Sequence, residues 1–344
     1  MDRKSLSFFT LGLLVGGLLS AIVFVASLRE DQHKDTGDRL VLKLAHVLDP
    51  SHPVHKGMAF MAERVAELSH GSVEIQIFPS GQLGSEPESI EQLQRGALAM
   101  VKTSAAAMEG FVPEMAVFGL PYLFDDEAHY WDVLNGEIGR KLLRAGEANN
   151  VHGLCYYDSG SRSFYTVKKP ILTPDDVKGL KLRVMPSKMA MDMIKTLGGG
   201  PTPIPFGELY TALQQGMIDG AENNPPSFLS ARHYEVAKFY SLDEHTRIPD
   251  VLIFSKAIWD RLDPQVQRWL EQAAAESVEF QRKLWKEETE KALREVEAAG
   301  VQIFHPDKKP FQEATRPMYE ALDDERVKAL ANRIRAVQEG GGHR

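Results

Sequence analysis

The sequence predicts an α/β protein of two lobes, and three observations support this fold class. Segments with strand periodicity alternate with segments of helix periodicity from residue 40 onward. This β-α-β order favours parallel sheets covered by helices. The series starts again near residue 151, and the 344 residues exceed the length of one typical domain. We therefore expect two α/β domains, each with its own sheet and core.

The first series supplies three strands and the helices between them. The segments LVLKLAHVL, SVEIQIFP and ALAMVKTS have the length and apolar content of strands. An amphipathic helix over 52–71 ends at a glycine, and a second helix covers 86–96. The acidic segment 125–130 predicts a further helix start, because carboxylates are favourable at the positive end of a helix dipole.

The second series has the same kind of alternation. The segment GGGP at 198–201 follows a helix, which predicts a helix stop and a loop. Strands are predicted at 151–160, 163–171 and 180–187, helices at 188–197 and 206–216, and a strand leading into a helix at 250–262.

One long amphipathic pattern covers residues 264–299. It begins at Pro264 and ends before Gly300, with no glycine or proline inside. A helix of this length would measure ~50 Å, which exceeds one small domain. We expect it to brace both lobes, and two helices with a bend are the alternative.

The N-terminus predicts export. Arg3 and Lys4 precede an uncharged, largely apolar run over 6–28, which is typical of a signal peptide or, if uncleaved, of a membrane anchor. We expect cleavage and a folded part that works in the periplasm. The predicted organisation is a leader at 1–28, lobe I at 39–160 and 248–285, lobe II at 161–247 and 286–335, and a flexible tail at 336–344.

Composition excludes several classes of protein. The formal net charge of −8 argues against nucleic acid as a partner, because phosphate binding needs a basic surface. With 43% hydrophobic and 26% charged residues, the chain is neither disordered nor a polytopic membrane protein. The single cysteine, Cys155, has apolar neighbours, which favours a buried, inert thiol.

Motifs for catalysis are absent from the sequence. It contains no Gly-x-Ser-x-Gly elbow and no Gly-x-Gly-x-x-Gly after a strand. His46, His52 and His55 are close in sequence, but their spacing matches no known zinc pattern. We therefore predict no catalytic residue, no metal and no cofactor, and two exported α/β lobes without an enzyme site favour a protein that binds a small ligand between them.

The stretch GLKLRVMPS places Arg183 inside a predicted core strand. A charge among core residues costs several kcal/mol, roughly, unless something pairs with it. Either a distant carboxylate or a ligand must supply the partner, and the flanking sequence offers no adjacent acid.

Other candidate ligand contacts lie at the ends of elements. Arg162 occupies a Gly/Ser turn between strands, where a bond to Asp158 is the structural alternative. Glu86 starts a helix after a glycine loop. Asn223 and Asn224 precede two prolines that would hold their amides in one geometry, although an Asx-turn cap is equally common there. Two guanidinium groups could clamp one carboxylate.

Three segments of the chain carry a family resemblance. GLKLRVMPS, PTPIPFGELYTALQQGMIDGAENNP and FPSGQLGSEPESIEQLQRGALAM resemble the DctP-type solute-binding proteins of TRAP (tripartite ATP-independent periplasmic) transporters. The resemblance covers about residues 40–335. It implies a type II-like fold of two α/β domains joined by hinge strands and braced by one long helix. It also implies capture of an organic acid, which is delivered to the permease membrane subunits, with uptake driven by an ion gradient.

The resemblance also assigns roles to residues. It implies that Arg183 makes the principal salt bridge to the ligand carboxylate, that Arg162 is a second arginine, that Asn223 is the asparagine of the family loop, and that Glu86 is its acidic residue. The family suggests a monomer. An enzyme on the same fold and a membrane-anchored sensor are the rival classes.

The ligand subclass is a finer expectation. The segments DSGSRSFYTVKKPI and AENNPPSF look like the branch that binds sugar acids such as glucuronate and galacturonate, with a C4-dicarboxylate as the alternative. A hydroxylated acid needs many partners, because each unsatisfied buried hydroxyl costs about 1–3 kcal/mol. For His245, a satisfied structural histidine is an equally good interpretation. Further candidate partners at strand or loop ends are His46, Glu86, Ser104, Tyr156, Asn223, Asn224, His245 and Asp250.

Overall fold

A computed structural model describes residues 39–340. The predicted leader and the last four residues lie outside the described residues. Within the described part of the chain, no helix is both long enough and apolar enough to cross a membrane.

Strands of the described residues form two sheets, one of five and one of six strands. The strands are β1 (Leu40–Ala45), β2 (Val73–Phe78), β3 (Met100–Ser104), β4 (Val151–Tyr157), β5 (Arg162–Thr166), β6 (Lys181–Val184), β7 (Gly200–Pro203), β8 (Gly220–Asn223), β9 (Phe239–Thr246), β10 (Asp250–Ser255) and β11 (Gln302–Phe304).

Sheet I has the strand order β2-β1-β3-β10-β4, and sheet II has the order β11-β9-β5-β8-β6-β7. In sheet I, β1, β2 and β3 are parallel, as predicted, whereas β10 is antiparallel to both of its neighbours. In sheet II, β6 is parallel to β7 and β8, and β5 is antiparallel to β8 and β9. We call the parts of the molecule built on these sheets lobe I and lobe II.

The helices cover the faces of the two sheets. They are α1 (Pro53–Leu68), α2 (Glu86–Gln94), α3 (Ala105–Met108), α4 (Glu127–Asn135), α5 (Glu137–Arg144), α6 (Lys188–Thr196), α7 (Leu209–Gln214), α8 (Pro225–Ser230), α9 (Lys256–Trp259), α10 (Pro264–Ala298), α11 (Lys308–Thr315), α12 (Pro317–Glu320) and α13 (Glu325–Gly340). Asp126 caps α4 by accepting from the His129 amide, which confirms the acidic helix start.

The chain passes between the sheets in two short connections, from β4 to β5 and from β9 to β10, and a third time through α10, which leads from β10 to β11. The predicted limits at 160/161 and 247/248 fall in the short connections, the predicted limit at 285/286 falls within α10, and as domain limits all three stay predictions. The Asp158 amide and carbonyl in the first connection both bond the side chain of Gln281, at 2.9 and 2.8 Å. One buried amide of α10 therefore holds this connection in place.

Helix α10 is continuous over 35 residues, so the alternative of two helices with a bend is wrong. It packs on α1 and β4 of lobe I and on α8 of lobe II, as predicted for a brace. Gly57 allows α1 and α10 to approach each other closely, because a Cβ at this position would lie 2.9 Å from Cβ of Gln281 in α10.

The lobe to which the C-terminal segment belongs stays a prediction. Helix α13 packs on the 3₁₀ segment Pro113–Gly119 and on α4, although residues up to 335 were expected in lobe II. Val327, Ala331 and Ile334 recur at helical spacing, and they bury against a core that contains residues of both sheets, such as Val251 of sheet I and Leu182 of sheet II. Residues 336–340, expected in a flexible tail, continue this helix.

Several strands escaped prediction. Gly200–Pro203, expected as a loop, pairs with β6, and Gly220–Asn223 forms the strand next to it. Strand Phe239–Thr246 also gave no clear signal. Short strands rich in glycine, proline or polar residues have little intrinsic preference, and the neighbouring strands determine their pairing.

Candidate functional site

A cavity of about 40 Å³ lies where the two lobes meet. It sits beside the ends of β3 and β6 and beside the connection from β4 to β5, which is where open α/β sheets place their ligands. Lobe I contributes Val47, Leu48, Glu86, Lys102, Ser104 and Asp250, lobe II contributes Arg162, Arg183, Met185, Phe206, Asn223, Asn224 and Ser227, and the connection contributes Ser159.

Arg183 is the unusual group of this cavity. Its side chain is 1% exposed, and its Nε donates to the carbonyl of Ile204 at 2.8 Å. Its Nη1 is buried without a hydrogen-bond partner, and no acidic side chain of residues 39–340 forms an ion pair with it. Burial lowers the pKa of this guanidinium. A buried cation without a partner is costly, and an anion in the cavity could offset that cost.

Arg162 lines the same cavity but is already neutralised. Its Nε lies 2.5 Å from Oε2 of Glu222, and its Nη2 lies 2.9 Å from Oε1, so the carboxylate is held by both branches of the guanidinium. Its Nη1 donates to Oδ1 of Asn223 at 2.9 Å. Glu222, and not Asp158, is therefore the acid that pairs with Arg162.

His245 lies in the layer behind this pair and does not line the cavity. Its Nδ1 bonds Asp243 at 2.9 Å, and its Nε2 lies 3.5 Å from Glu222. Burial alone would lower the pKa of His245, but the two carboxylates outweigh it and raise the pKa to about 9. Nδ1 of His245 is satisfied by Asp243, whereas its Nε2 is buried without a hydrogen-bond partner, so the interpretation as a satisfied structural histidine holds only in part.

The lobe I wall carries a different charge arrangement. Lys102 and Ser104 are two residues apart on β3, so their side chains point to the same face of sheet I. Asp250 on β10 lies opposite Ser104. Nζ of Lys102 lies 2.8 Å from Asp250 and 3.9 Å from Glu86, whose carboxylate also accepts from the Ser104 amide at 2.9 Å. Burial raises the pKa of Asp250 to about 6, against the opposing effect of Lys102.

The two asparagines differ in role: Asn224 caps a helix, and Asn223 has an amide group that lines the cavity. Asn224 caps α8 by accepting from the Ser227 amide at 2.8 Å, so the Asx-cap interpretation applies to Asn224. The amide oxygen of Asn223 accepts from Arg162 and from the Asn224 backbone. Within residues 39–340, Nδ2 of Asn223 donates no hydrogen bond, which leaves a donor for a ligand.

Seven of the ten predicted contacts line the cavity, and His46, Tyr156 and His245 do not. Nδ1 of His46 accepts from the Leu48 amide, so its Nε2 carries the proton and donates to His55 at 3.0 Å. The Tyr156 hydroxyl donates to the Gly139 carbonyl at 2.9 Å, on the other side of sheet I. Both side chains are buried and satisfied elsewhere.

Sequence reasoning missed Lys102, Ser159, Phe206 and Ser227. Lys102 carries the signal that identified Arg183, a charged residue inside an apolar strand, and it could have been found in the same way. Ser227 and Ser159 have no such signal, because only the folded chain brings these hydroxyls to the cavity.

The arrangement suits binding of an anion with hydroxyl groups. One wall offers the unpaired guanidinium of Arg183 and the free amide of Asn223, and the other offers carboxylate oxygens beside a lysine. Among residues 39–340, no group of three or more histidine, cysteine or acidic side chains is placed to hold a metal ion.

Comparison with known proteins agrees with this geometry. Residues 44–325 match the family described as bacterial extracellular solute-binding protein, family 7, or DctP. The chain is 34% identical over 318 residues to the C4-dicarboxylate-binding periplasmic protein DctP of Rhodobacter capsulatus. The aligned region covers 91% of this chain and 93% of that protein.

Solved structures of similar chains are also bacterial solute-binding proteins. One is a TRAP periplasmic solute-binding protein of a Bradyrhizobium species in complex with D-galacturonate, 44% identical, with a TM-score of 0.83 and coverage of 86% of this chain and 99% of that chain. Another, from Chromohalobacter salexigens with bound D-glucuronate, is 36% identical, with a TM-score of 0.84 and coverage of 86% and 100%. The chain therefore belongs to the DctP family of bacterial extracellular solute-binding proteins and is the solute-binding protein of a TRAP transporter.

Proposed function

We propose that the captured acid is a uronate such as D-galacturonate or D-glucuronate, and that its carboxylate pairs with Arg183. The single observation that carries this proposal is the buried Nη1 of Arg183, which has no partner among residues 39–340 and belongs to a cavity-lining side chain. A carboxylate would neutralise the charge and supply the missing acceptor. Asn223 Nδ2 would donate to the same group, and Arg162 would hold the Asn223 amide in place through its bond to Oδ1.

The lobe I wall supports a hydroxylated ligand. Glu86 and Asp250 offer acceptor oxygens and Lys102 offers donors, which matches the hydroxyl groups of a sugar ring. Leaving such buried groups unpaired costs about 1–3 kcal/mol each, so a ligand without hydroxyls would bind less well. The similar solved proteins that contain galacturonate and glucuronate support the same ligand class.

A C4-dicarboxylate is the second candidate, because Lys102 could pair with a second carboxylate and a relative is named for this ligand class. Glu86 and Asp250 weigh against it. Both acids flank Lys102, so a second anionic group would meet two carboxylates at the same wall. We infer that this wall discriminates in favour of acids with a single carboxylate.

The wider role of the chain completes the proposal. The lobes would rotate about the two connections and close over the acid, and the closed form would deliver it to the membrane subunits in the periplasm. We propose that the chain reaches that compartment through its leader, works as a monomer and has no enzymatic activity. The site offers charge pairing and hydrogen bonding, and the one cavity-lining hydroxyl described beside a histidine, that of Ser227, accepts a hydrogen bond from Nε2 of His52 and is not activated by it.

Thermal unfolding in the presence of candidate acids tests the proposal. A ligand at 100 times its dissociation constant should add about 2.7 kcal/mol of stability. We expect D-galacturonate or D-glucuronate to raise the melting temperature and succinate to do so much less. If only succinate stabilises the protein, the proposed ligand is a C4-dicarboxylate and not a uronate. If no acid stabilises it, Arg183 does not bind a ligand carboxylate.

A further inference from the structure

Two of the side-chain contacts between the lobes involve an acidic or a histidine side chain of lobe I, and the second of them reaches the cavity-lining Ser227. In the first, the carboxylate of Glu109 in lobe I accepts from the Ser187 hydroxyl at 2.6 Å and from the Met189 amide at 3.3 Å. In the second, His52 of lobe I bonds the Ser227 hydroxyl of lobe II at 3.1 Å. Neither contact involves a connection between the lobes or helix α10.

The Glu109 contact is placed at the start of a helix. Ser187 is the N-cap of α6, and its hydroxyl oxygen also accepts from the Ala190 amide at 3.1 Å. Glu109 thus adds a second acceptor, from the other lobe, to the free amides of this helix start. A carboxylate is favourable at the positive end of a helix dipole.

Close packing accompanies this polar contact. Gly119 of lobe I faces Met189, and a Cβ at Gly119 would lie 2.8 Å from Cβ of that methionine. The absence of a side chain at Gly119 therefore lets α6 approach lobe I closely enough for its amide to reach Glu109.

The His52 contact has a defined donor. Nδ1 of His52 accepts from the Val54 amide at 3.2 Å, so Nε2 carries the proton and donates to Ser227. Helix α6 packs with Leu182 and Val184, whereas α8, which holds Ser227, packs with Ala221 on the other face of sheet II. The two contacts therefore lie on opposite sides of sheet II.

We propose that Glu109 and His52 are positioning residues for lobe closure, and this inference rests on the proposed capture of an acid between the lobes. Together they hold the closed form from both sides, independently of contacts to the ligand. Ser187 follows Arg183 by one short turn of chain, and Ser227 lines the cavity, so closure and ligand binding stabilise the same arrangement. Weakening either contact should lower the closed population and with it the apparent affinity.

The test uses Glu109→Gln and Glu109→Ala in the full exported chain. Spin labels on one exposed position of each lobe report the interlobe distance without ligand, and stopped-flow mixing reports the dissociation rate of D-galacturonate. We expect more of the open form and dissociation that is about 10- to 150-fold faster, because a hydrogen bond to a charged group is lost. The association rate should change less, by about twofold or under.

Glu114→Gln is the matched control. Glu114 lies five residues further along, is half-buried and pairs with Arg326 of α13 at 2.9 Å. The proposal is overturned if both Glu109 variants keep the wild-type distances and dissociation rate, or if the control changes them equally. A protein that closes normally but binds no galacturonate would instead overturn the uronate proposal, because the labels report closure without any ligand.

A double-mutant cycle of Glu109→Ala with Ser187→Ala adds a second readout. If the two side chains act through their mutual contact, their effects on the dissociation rate will not add. Additive effects would mean that Glu109 acts in another way, and the proposed contact would then be wrong.

Discussion

The two arginines of sheet II differ in what neutralises them. Arg162 and Arg183 are both almost fully buried, at 5% and 1% exposure, and both line the cavity. Glu222 raises the pKa of Arg162 against the effect of burial, whereas burial lowers the pKa of Arg183. Glu222 pairs with the guanidinium of Arg162, whereas the buried Nη1 of Arg183 has no hydrogen-bond partner among residues 39–340.

This difference teaches how to recognise a binding charge. Burial and position at a cavity are common to both residues, so neither property separates a structural cation from a ligand contact. The hydrogen-bond partners distinguish a structural cation from a cation that is available to a ligand, because a buried charge is tolerated only when something pairs with it. Lys102 with Asp250 falls on the structural side of this division, although its charges still line the cavity.

Removing Arg162 should have the largest effect on stability. In Arg162→Met, Glu222 loses its bidentate partner while it is 2% exposed and keeps only His245 at 3.5 Å, which should lower the free energy of unfolding by about 3 kcal/mol. Urea unfolding without ligand measures this change. The double variant Arg162→Met, Glu222→Leu should recover most of the loss, and a single variant as stable as wild type would show that this pair is not the structural one.

Changing Arg183 should affect binding and not folding. In Arg183→Lys the bidentate pairing with a carboxylate is lost, and we expect the affinity for D-galacturonate to fall by about 2–3 kcal/mol, roughly 30- to 150-fold. Calorimetry measures the affinity. In Arg183→Met no acid loses a partner, so the unliganded protein should unfold at the same temperature or a higher one. Near-wild-type affinity in Arg183→Lys would show that Arg183 does not make a bidentate pair with the ligand carboxylate.

The lobe I wall should give the smallest effect, as a dependence on pH. The pKa of Asp250 is raised to about 6, so this carboxylate takes up a proton as the pH falls through 6 and loses its ability to accept from a sugar hydroxyl. Affinity should therefore be full near pH 7.5 and about tenfold weaker near pH 5.

Asp250→Asn is the matched control for this pH dependence. It should remove the dependence while lowering the affinity at pH 7.5, because the introduced amide side chain would still fill the site without titrating. A wild-type affinity that is flat across this range would mean that the ligand does not use the Asp250 carboxylate. Glu222, whose pKa is about 2, stays ionised throughout and does not contribute.

Much of the fold follows from local sequence. The parallel start of sheet I, the acidic cap of α4 and the long helix α10 all have strong periodicity and clear end signals, and the structure confirms them. The strands Gly200–Pro203 and Gly220–Asn223 lack such signals, since partner strands decide their conformation. The lobe of the last helix stays a prediction, because its apolar stripe does not say which core it will join, and the core that it joins contains residues of both sheets.

The site divides in a similar way. Arg183 and Glu86 were identified from chemistry that is visible in the chain, a charge inside a strand and an acid at a helix start after a glycine loop. His46 and Tyr156 carry equally suggestive side chains, but their polar atoms are satisfied by His55 and Gly139. Whether a polar group remains available for a ligand depends on neighbours that lie far away in sequence.

The sequence by itself determined that this protein has two α/β lobes, a long bracing helix and an arginine inside a core strand that needs a partner. It could not determine which buried cation lacks that partner. Glu222 reaches Arg162, and Asp250 reaches Lys102, only because sheet pairing brings these strands together. Charge pairing acts over a few ångströms, so only the tertiary structure decides that Arg183 is left for the ligand.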